Sequence, residues 1–436
     1  MKKTLRFVSL LLLCTVLMGL LAVPAMADAT LITIPHYRTG ENVGAKFFLP
    51  QVERFNKQYE GKYRVVIEEL TQDLYVEKIK QLGLQGKLPP AIEGGDAEWI
   101  RNVVIPNNMF YDLSDILKEH PEIDAMQTEW NRAYNTTPDG KLATLNYNVV
   151  RPMSMYYNEA LLPLTKTPGE YASWDELLKE LGDNKIAFMT GENAWTTMLI
   201  FSSLIAAEEG GVQLVSDHQV DKLTDFNHPA LLAATEKLQA MLQKYASSNT
   251  VGAVYADASN TFMSNNAAII ANGSWMVGDF APDAKDKWSN GFDGATVHGA
   301  VFPGNIAACN TSGGYGWWIP ATATDAQKEC ASAFLAFILS PAELEAHMLA
   351  EGGTAPLLAP SKEFLEKRAA ENPLLDEYVG AVNSDTILIP AFADCIPSSV
   401  ASTGFGSLLP KLIDGSLTPA QFLEQLGVMA KEAMGE

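Results

Sequence analysis

The chain has 436 residues, of which 47% are hydrophobic and 19% charged, with a formal net charge of −21. That length exceeds what one compact core organises and points to roughly two or three domains. The acidic balance argues against nucleic acid as a partner, because that affinity comes from lysine and arginine neutralising phosphates. It leaves an anionic small ligand open, since one local arginine outweighs a distant global field.

The first 27 residues read as an export signal. Lys2, Lys3 and Arg6 precede an apolar run from Phe7 to Leu21, and Pro24 introduces Ala25-Met26-Ala27, an A-x-A cleavage site. An uncleaved anchor is the competing reading of the uncharged run. The helix-breaking and small residues that end the run favour cleavage. Removal deletes three basic and no acidic residues, so the remaining chain carries about −24. Cys14 sits behind Leu13 and is a poor lipid-acylation site. No later stretch is long and apolar enough to span a bilayer. The expected location is the periplasm or another extracytoplasmic space.

"TLITIP", 30–35, reads as a buried strand followed by the polar loop "HYRTGEN". Ala45 to Tyr59 has helical apolar spacing and stops at Gly61. "YRVVIEEL", 63–70, is a second strand and "LYVEKIKQLGLQG", 74–86, a second helix. "PPAIEGG", 89–95, is a short strand running into glycines. This β-α-β-α-β pattern predicts a parallel sheet, with ligand loops at 36–42 and 94–99. Further along, 153–158 and 185–190 are strand candidates. Ser173-Trp-Asp-Glu176 and Ser340-Pro-Ala-Glu343 read as capping boxes. His228-Pro229 opens an amphipathic helix with apolar residues at 231, 234, 238, 241, 242 and 245, and Thr418-Pro419 begins the last helix. No repeat or long linker is visible, which points to interleaved domains.

Motifs for catalysis and cofactors are missing. The six histidines never fall at i,i+4, and there is no C-x-x-C, P-loop, G-x-S-x-G or calcium loop. "GGYGWW", 313–318, lacks the third glycine of a dinucleotide loop and has bulky aromatics where pyrophosphate would approach. No carboxylate pair stands out as a glycosidase dyad. Cys309, Cys330 and Cys395 suit neither a disulfide framework nor a zinc motif, and one disulfide or three buried thiols fit equally. What recurs is an aromatic beside glycine, serine or asparagine in a predicted loop: His36-Tyr37, Trp99, Trp195 in "GENAW", Trp275 in "NGSW", and Tyr315-Trp317-Trp318. Any one of these is ordinary packing. Five together suit the flat C–H faces of sugar rings. Trp130, Trp174 and Trp288 are assigned to packing. At Trp275, Gly273 is expected to let the backbone bend so that the indole leaves the sheet.

Four ordered segments carry a resemblance. "MSMYYNEALL" (153–162), "SWDELLKEL" (173–181), "FMSNNAAIIANGSWMVGDF" (262–280) and "GGYGWWIPATATDAQKECASAFLAFILSPAELE" (313–345) resemble landmarks of the extracellular solute-binding proteins that serve ABC importers, in the group with maltose-binding and glycerol-3-phosphate-binding proteins. "GGTAPL" follows where that family has "G-x-x-P". Asn265 stands where the family has glycine. The resemblance implies a type II periplasmic-binding-protein-like fold: two interleaved α/β lobes, a ligand cleft and a hinge. The first lobe would take 28–148 plus 303–356, and the second 149–302 plus 357–436. It implies a monomeric, non-catalytic protein without cofactor or metal, whose partners are a small carbohydrate ligand and the permease subunits. By position it nominates Tyr37, Asp96, Trp99, Arg151, Trp195, Trp275, Gly313, Gly314, Tyr315 and Phe405 as ligand-binding, with Ser399 and Ser402 beside Phe405. Arg151 fits a sugar contact and an inter-lobe salt bridge equally. A phosphorylated polyol is the alternative ligand, with Arg151 and helix-start amides as its partners. A secreted glycoside hydrolase is the alternative from another class, and a surface adhesin the weakest reading.

Overall fold

The computed structural model describes residues 29–40, 42, 44–127, 129–146, 151–310, 315–351 and 361–436. Strand β1 (Thr30–His36) lies parallel to β2 (Tyr63–Glu69), with Ile32 opposite Val65, and the helix Ala45–Gln58 makes the crossover. That helix buries Phe47, Phe48, Val52 and Phe55, the face its spacing predicts. The second crossover helix runs Gln72–Leu84. The third strand departs from the expected parallel sheet. β3 is only Ile92–Glu93, and it pairs antiparallel with Trp317–Trp318. Pro89 and Pro90 cannot donate ladder hydrogen bonds before it. Gly94 and Gly95, at φ +57° and +125°, turn the chain after it.

A six-stranded sheet forms the second body. Taking the strands in chain order, β4 is Arg151–Asn158, β5 Ile186–Ala187, β6 Ile269–Gly273, β7 Val297–Ala300, β8 Ile306–Asn310, β9 the Trp317–Trp318 strand already named, and β10 Ile387–Ile389. The sheet order is β10-β8-β4-β6-β5, with β7 also on β4. β4 is antiparallel to β6, β7 and β8. β4 and β6 are buried almost throughout, as expected of strands covered on both faces. The 185–190 strand is shorter than predicted because the Thr197 hydroxyl takes the Met189 peptide, accepting from its N–H at 3.0 Å and donating to its carbonyl at 2.7 Å.

The apolar cores follow this division. Residues between Ile32 and Leu145 pack with Trp317 to Leu339. Residues between Met153 and Ala308 pack with Ile389 to Ala430, and a neighbouring cluster joins Tyr156 to Val297 with Leu375 to Val379. The chain therefore leaves the first body, builds most of the second, returns, and crosses again. Ile306–Asn310, expected with the first lobe, instead pairs with β4 and β10 in the six-stranded sheet. The helix Pro229–Tyr245 buries 231, 234, 238, 241, 242 and 245 as predicted. Ser173 caps its helix by accepting from the Glu176 N–H. The second predicted capping box does not form through Glu343, whose carboxylate instead takes Arg54 at 2.7 and 2.6 Å. Cys309, Cys330 and Cys395 are free and buried, so the thiol reading holds over the disulfide. Burial pushes the Cys309 thiol up to about 12 and Cys330 to about 11. Among the described residues no single helix is long and apolar enough to cross a membrane.

Candidate functional site

The first body gathers its candidates around the loop 93–96. Gly94 donates its N–H to Gly316 O at 2.8 Å, and the Trp318 indole donates to Gly94 O at 3.0 Å. These bonds draw the loop against the chain at Tyr315. Tyr37, Trp99 and Tyr315 pack, each partly buried, on one small cluster containing Tyr75, Ile92, Ile100 and Trp318. The sequence-nominated aromatics are thus brought together. Asp96 serves the local backbone. Its carboxylate accepts from the Trp99 N–H at 2.8 Å and meets Lys80 Nζ at 2.6 Å. It fixes the start of the short helix Ala97–Trp99, which continues as a wider turn from Ile100 to Val104.

Beneath Tyr37 lies a buried charge set that sequence reading missed. The His36 ring stacks on Tyr37 at 4.9 Å and on Phe48 at 4.1 Å. Its Nδ1 accepts from the Arg38 N–H at 3.0 Å, so its Nε2 carries the proton and donates to Glu93 at 2.7 Å. Arg38 Nη1 reaches both Glu93 oxygens at 2.8 and 2.7 Å. Burial alone would raise Glu93, but the Arg38 charge and the His36 bond outweigh it and hold the carboxyl at about 2. Burial lowers His36 despite Glu93. This glutamate is a locked anion that fixes His36 and Arg38, both of which lie against the Tyr37 ring, and it is unsuited to proton transfer.

In the second body, Trp195 and Trp275 lie 6.2 Å apart with planes inclined at 37°. Trp195 starts the helix Trp195–Ala206 after a turn in which Glu192 and Ala194 both have φ of +48°. Such left-handed non-glycine residues cost about 1 kcal/mol each and persist only where packing enforces them. The Trp195 Nε1 is buried without a hydrogen-bond partner. Trp275 follows β6 in the 3-10 segment Ser274–Phe280 and is partly buried against the two main clusters of this body. Gly273 has ordinary extended backbone, φ −96° and ψ 174°, so the expected bend is not what requires glycine. The requirement is space: a Cβ there would lie 2.2 Å from the Trp275 ring. The indole therefore folds back on the last residue of its own supporting strand. The Arg151 guanidinium stands 5.8 Å over the same ring. The Asn272 amide donates to the Tyr255 hydroxyl at 3.1 Å, and burial first of all raises that phenol to about 12.

Between these groups run contacts that join the two bodies. Arg101 donates to the Val220 carbonyl at 3.0 Å. Tyr134 packs against Tyr315 with ring centres 4.8 Å apart, and both phenols are raised chiefly by burial, with Arg101 opposing. Asp394 acts on Tyr134 from the other body. Asp394 exposes side-chain area, yet protein surrounds it at longer range. That burial pushes it above the usual carboxylate range in spite of Lys222. Arg101 had one sequence signal, a helical face shared with Glu98. Asp394 had none.

Phe405 is a correction. It is fully buried, with rings of Phe201 and Phe422 each at 5.5 Å, and belongs to the core of the second body. Its position starts the helix Phe405–Ile413, whose apolar face packs inward. Its two neighbours, Ser399 and Ser402, are both exposed. Gly313 and Gly314 lie outside the described residues. Trp174 is packed as expected, 3% exposed. Among the described residues no group of three histidine, cysteine or carboxylate side chains is arranged to hold a metal ion.

The profile of the family described as bacterial extracellular solute-binding protein matches residues 51–375. Among solved structures, the chain is similar to a chitin oligosaccharide binding protein, with 21% identity and a TM-score of 0.73 over 94% of this chain and 100% of the other. It is similar to a Streptococcus pneumoniae solute-binding protein in complex with the blood group A-trisaccharide, with 16% identity and a TM-score of 0.70 over 92% and 100% of the two chains. It is also similar to the solute-binding protein RafE in complex with raffinose, with 16% identity and a TM-score of 0.66 over 93% and 100%. These likenesses establish the two-lobe, type II fold. No curated protein matches.

Proposed function

We propose, since the chain belongs to the bacterial extracellular solute-binding proteins, that it captures a sugar or oligosaccharide and delivers it to the permease subunits of an ABC importer. The observation that carries this reading is the inclined Trp195–Trp275 pair with Arg151 above Trp275. Partly buried indoles offer a flat apolar surface for sugar C–H faces, and the polar groups beside them pair with hydroxyls. Further support comes from the names of three similar structures, which specify chitin oligosaccharide, a blood group trisaccharide and raffinose. Tyr37, Trp99 and Tyr315 line the opposite wall in this reading. The lobes are 28–148 with the segment returning at β9, and 151–310 with the C-terminal segment. They close on the ligand, and closure is a population shift towards the ligand-bound form. Residues 1–27 are removed on export.

Titration calorimetry against a panel of neutral oligosaccharides, glycerol-3-phosphate and amino acids tests the ligand class. Saccharide binding is the expected outcome. Tight binding of an amino acid with no saccharide binding contradicts it, and preference for glycerol-3-phosphate replaces it with the phosphorylated-polyol reading. Trp275→Ala should weaken saccharide binding tenfold to a hundredfold, taking roughly 1–3 kcal/mol per stacked aromatic by analogy with base stacking. Unchanged affinity removes Trp275 from the site.

A further inference from the structure

The contact between Arg101 and Val220 joins segments that belong to different cores. Arg101 lies in the turn Ile100–Val104, whose Ile100 and Val104 are buried in the first body. Val220 lies in the stretch between Val215 and Leu223, both buried in the second. That stretch is held firmly. The Leu223 N–H donates to Cys395 O at 2.8 Å, and Lys222 Nζ donates to Gln219 O and Asp394 O, each at 2.7 Å. Lys222 thus closes the loop on itself and ties it to its own body, which leaves the Val220 carbonyl presented outward. The opposing side is also organised. The Ile105 N–H bonds to Ile100 O in the wide five-residue spacing, a helical distortion often found at functional sites. Glu98 lies one turn before Arg101 and acts electrostatically on Lys222. The charges therefore complement each other across the seam: guanidinium to carbonyl, and carboxylate towards ammonium.

We propose that Arg101 is a closing latch between the two bodies and that Lys222 is the positioning residue that holds its acceptor. The latch rests on the two-lobe binding reading above. A hydrogen bond made only when the bodies are together stabilises the closed form with or without a solute, and it slows solute escape once one is bound. Because the acceptor is a backbone carbonyl, the latch does not depend on which solute occupies the cleft. Its strength resides in Arg101 and in the loop that Lys222 braces.

The test is the distance between spin labels in the solute-free protein. Cysteines introduced at Lys118 and Gln213, one on each body and both accessible to solvent, carry the labels. The native thiols at 309, 330 and 395 are buried and do not compete. Arg101→Ala should lower the ratio of closed to open populations about tenfold, the low end for a charged hydrogen bond at a partly exposed site. Lys222→Met should shift it in the same direction with Arg101 still present. Thermal midpoints close to wild type show that the bodies themselves are intact. With a bound saccharide, Arg101→Ala should also release it about tenfold faster. Superimposable distance distributions for wild type and both variants overturn the latch, even if saccharide binds. A shifted distribution in a protein that binds no saccharide leaves the latch standing and removes the sugar reading.

Discussion

Gly273→Ala is the substitution that most sharply separates backbone from packing. The backbone at Gly273 is extended, so alanine fits the strand without strain. The added Cβ, however, would lie 2.2 Å from two carbons of the Trp275 ring and 2.5 Å from a third. An ordinary carbon contact needs about 3.5 Å, so the indole must move by roughly 1.3 Å or the strand end must yield. Overpacking of this kind costs about 1–3 kcal/mol of stability. If Trp275 is the platform for a sugar ring, its displacement also weakens binding, by roughly tenfold on the scale of one stacked aromatic. Denaturant unfolding and titration calorimetry on the single variant measure both effects. The double variant Gly273→Ala/Trp275→Ala supplies the control. With the indole gone there is nothing to clash with, so the double variant should match Trp275→Ala in both stability and affinity. Gly273→Ala with wild-type stability and affinity refutes the packing argument. A destabilised variant with unchanged affinity refutes the platform.

Two other outcomes follow from burial and charge. Phe405→Ala should lose roughly 3–5 kcal/mol of stability, as expected for an aromatic removed from a close-packed core. The folded fraction should bind solute as wild type does, and an affinity loss at unchanged stability would return Phe405 to the site. Acid should destabilise the protein in two stages that share a sign. Below the ordinary imidazole value of 6.5 the unfolded chain protonates His36 while the folded one resists. Between 4.5 and about 2 the unfolded chain protonates Glu93 first, so the stability present above that window is lost through it. Glu93→Gln should be destabilised at neutral pH, because it takes away the anion that faces the buried Arg38 guanidinium, and should flatten the lower stage. Melting curves across pH that run parallel for the two proteins would contradict this.

Local chemistry was the legible part of this chain. The first β-α-β unit, the helix Pro229–Tyr245 and the caps at Ser173 and Thr418 follow from spacing and side-chain type, and the structure has them. Asn265 is similar. It occupies a position at φ +56°, where the resembling family has glycine, and asparagine tolerates that conformation. Partners far apart in sequence were not legible. β3 pairs with tryptophans more than two hundred positions later, and nothing in "PPAIEGG" specifies them. Ile306–Asn310 falls in the range that the resemblance gives to the first lobe, and only its pairing with β4 puts it in the six-stranded sheet. The aromatics in glycine-rich loops were legible as a class, because large rings beside turn residues are unusual, but which of them lie together was not. Phe405 was misplaced because its core partners, Phe201 and Phe422, come from two other helices. Arg101 and Lys222 gave almost no signal, since what they do depends on backbone carbonyls that no sequence pattern marks.

A crystal structure of the protein with the saccharide that calorimetry ranks first decides whether Trp275 is a platform. A pyranose or furanose ring should lie face-on against Trp275, with Trp195 beside it and the Tyr37, Trp99 and Tyr315 wall opposite. A saccharide bound away from both indoles, with Trp275 still folded against Gly273 and untouched, would overturn the sugar-platform reading.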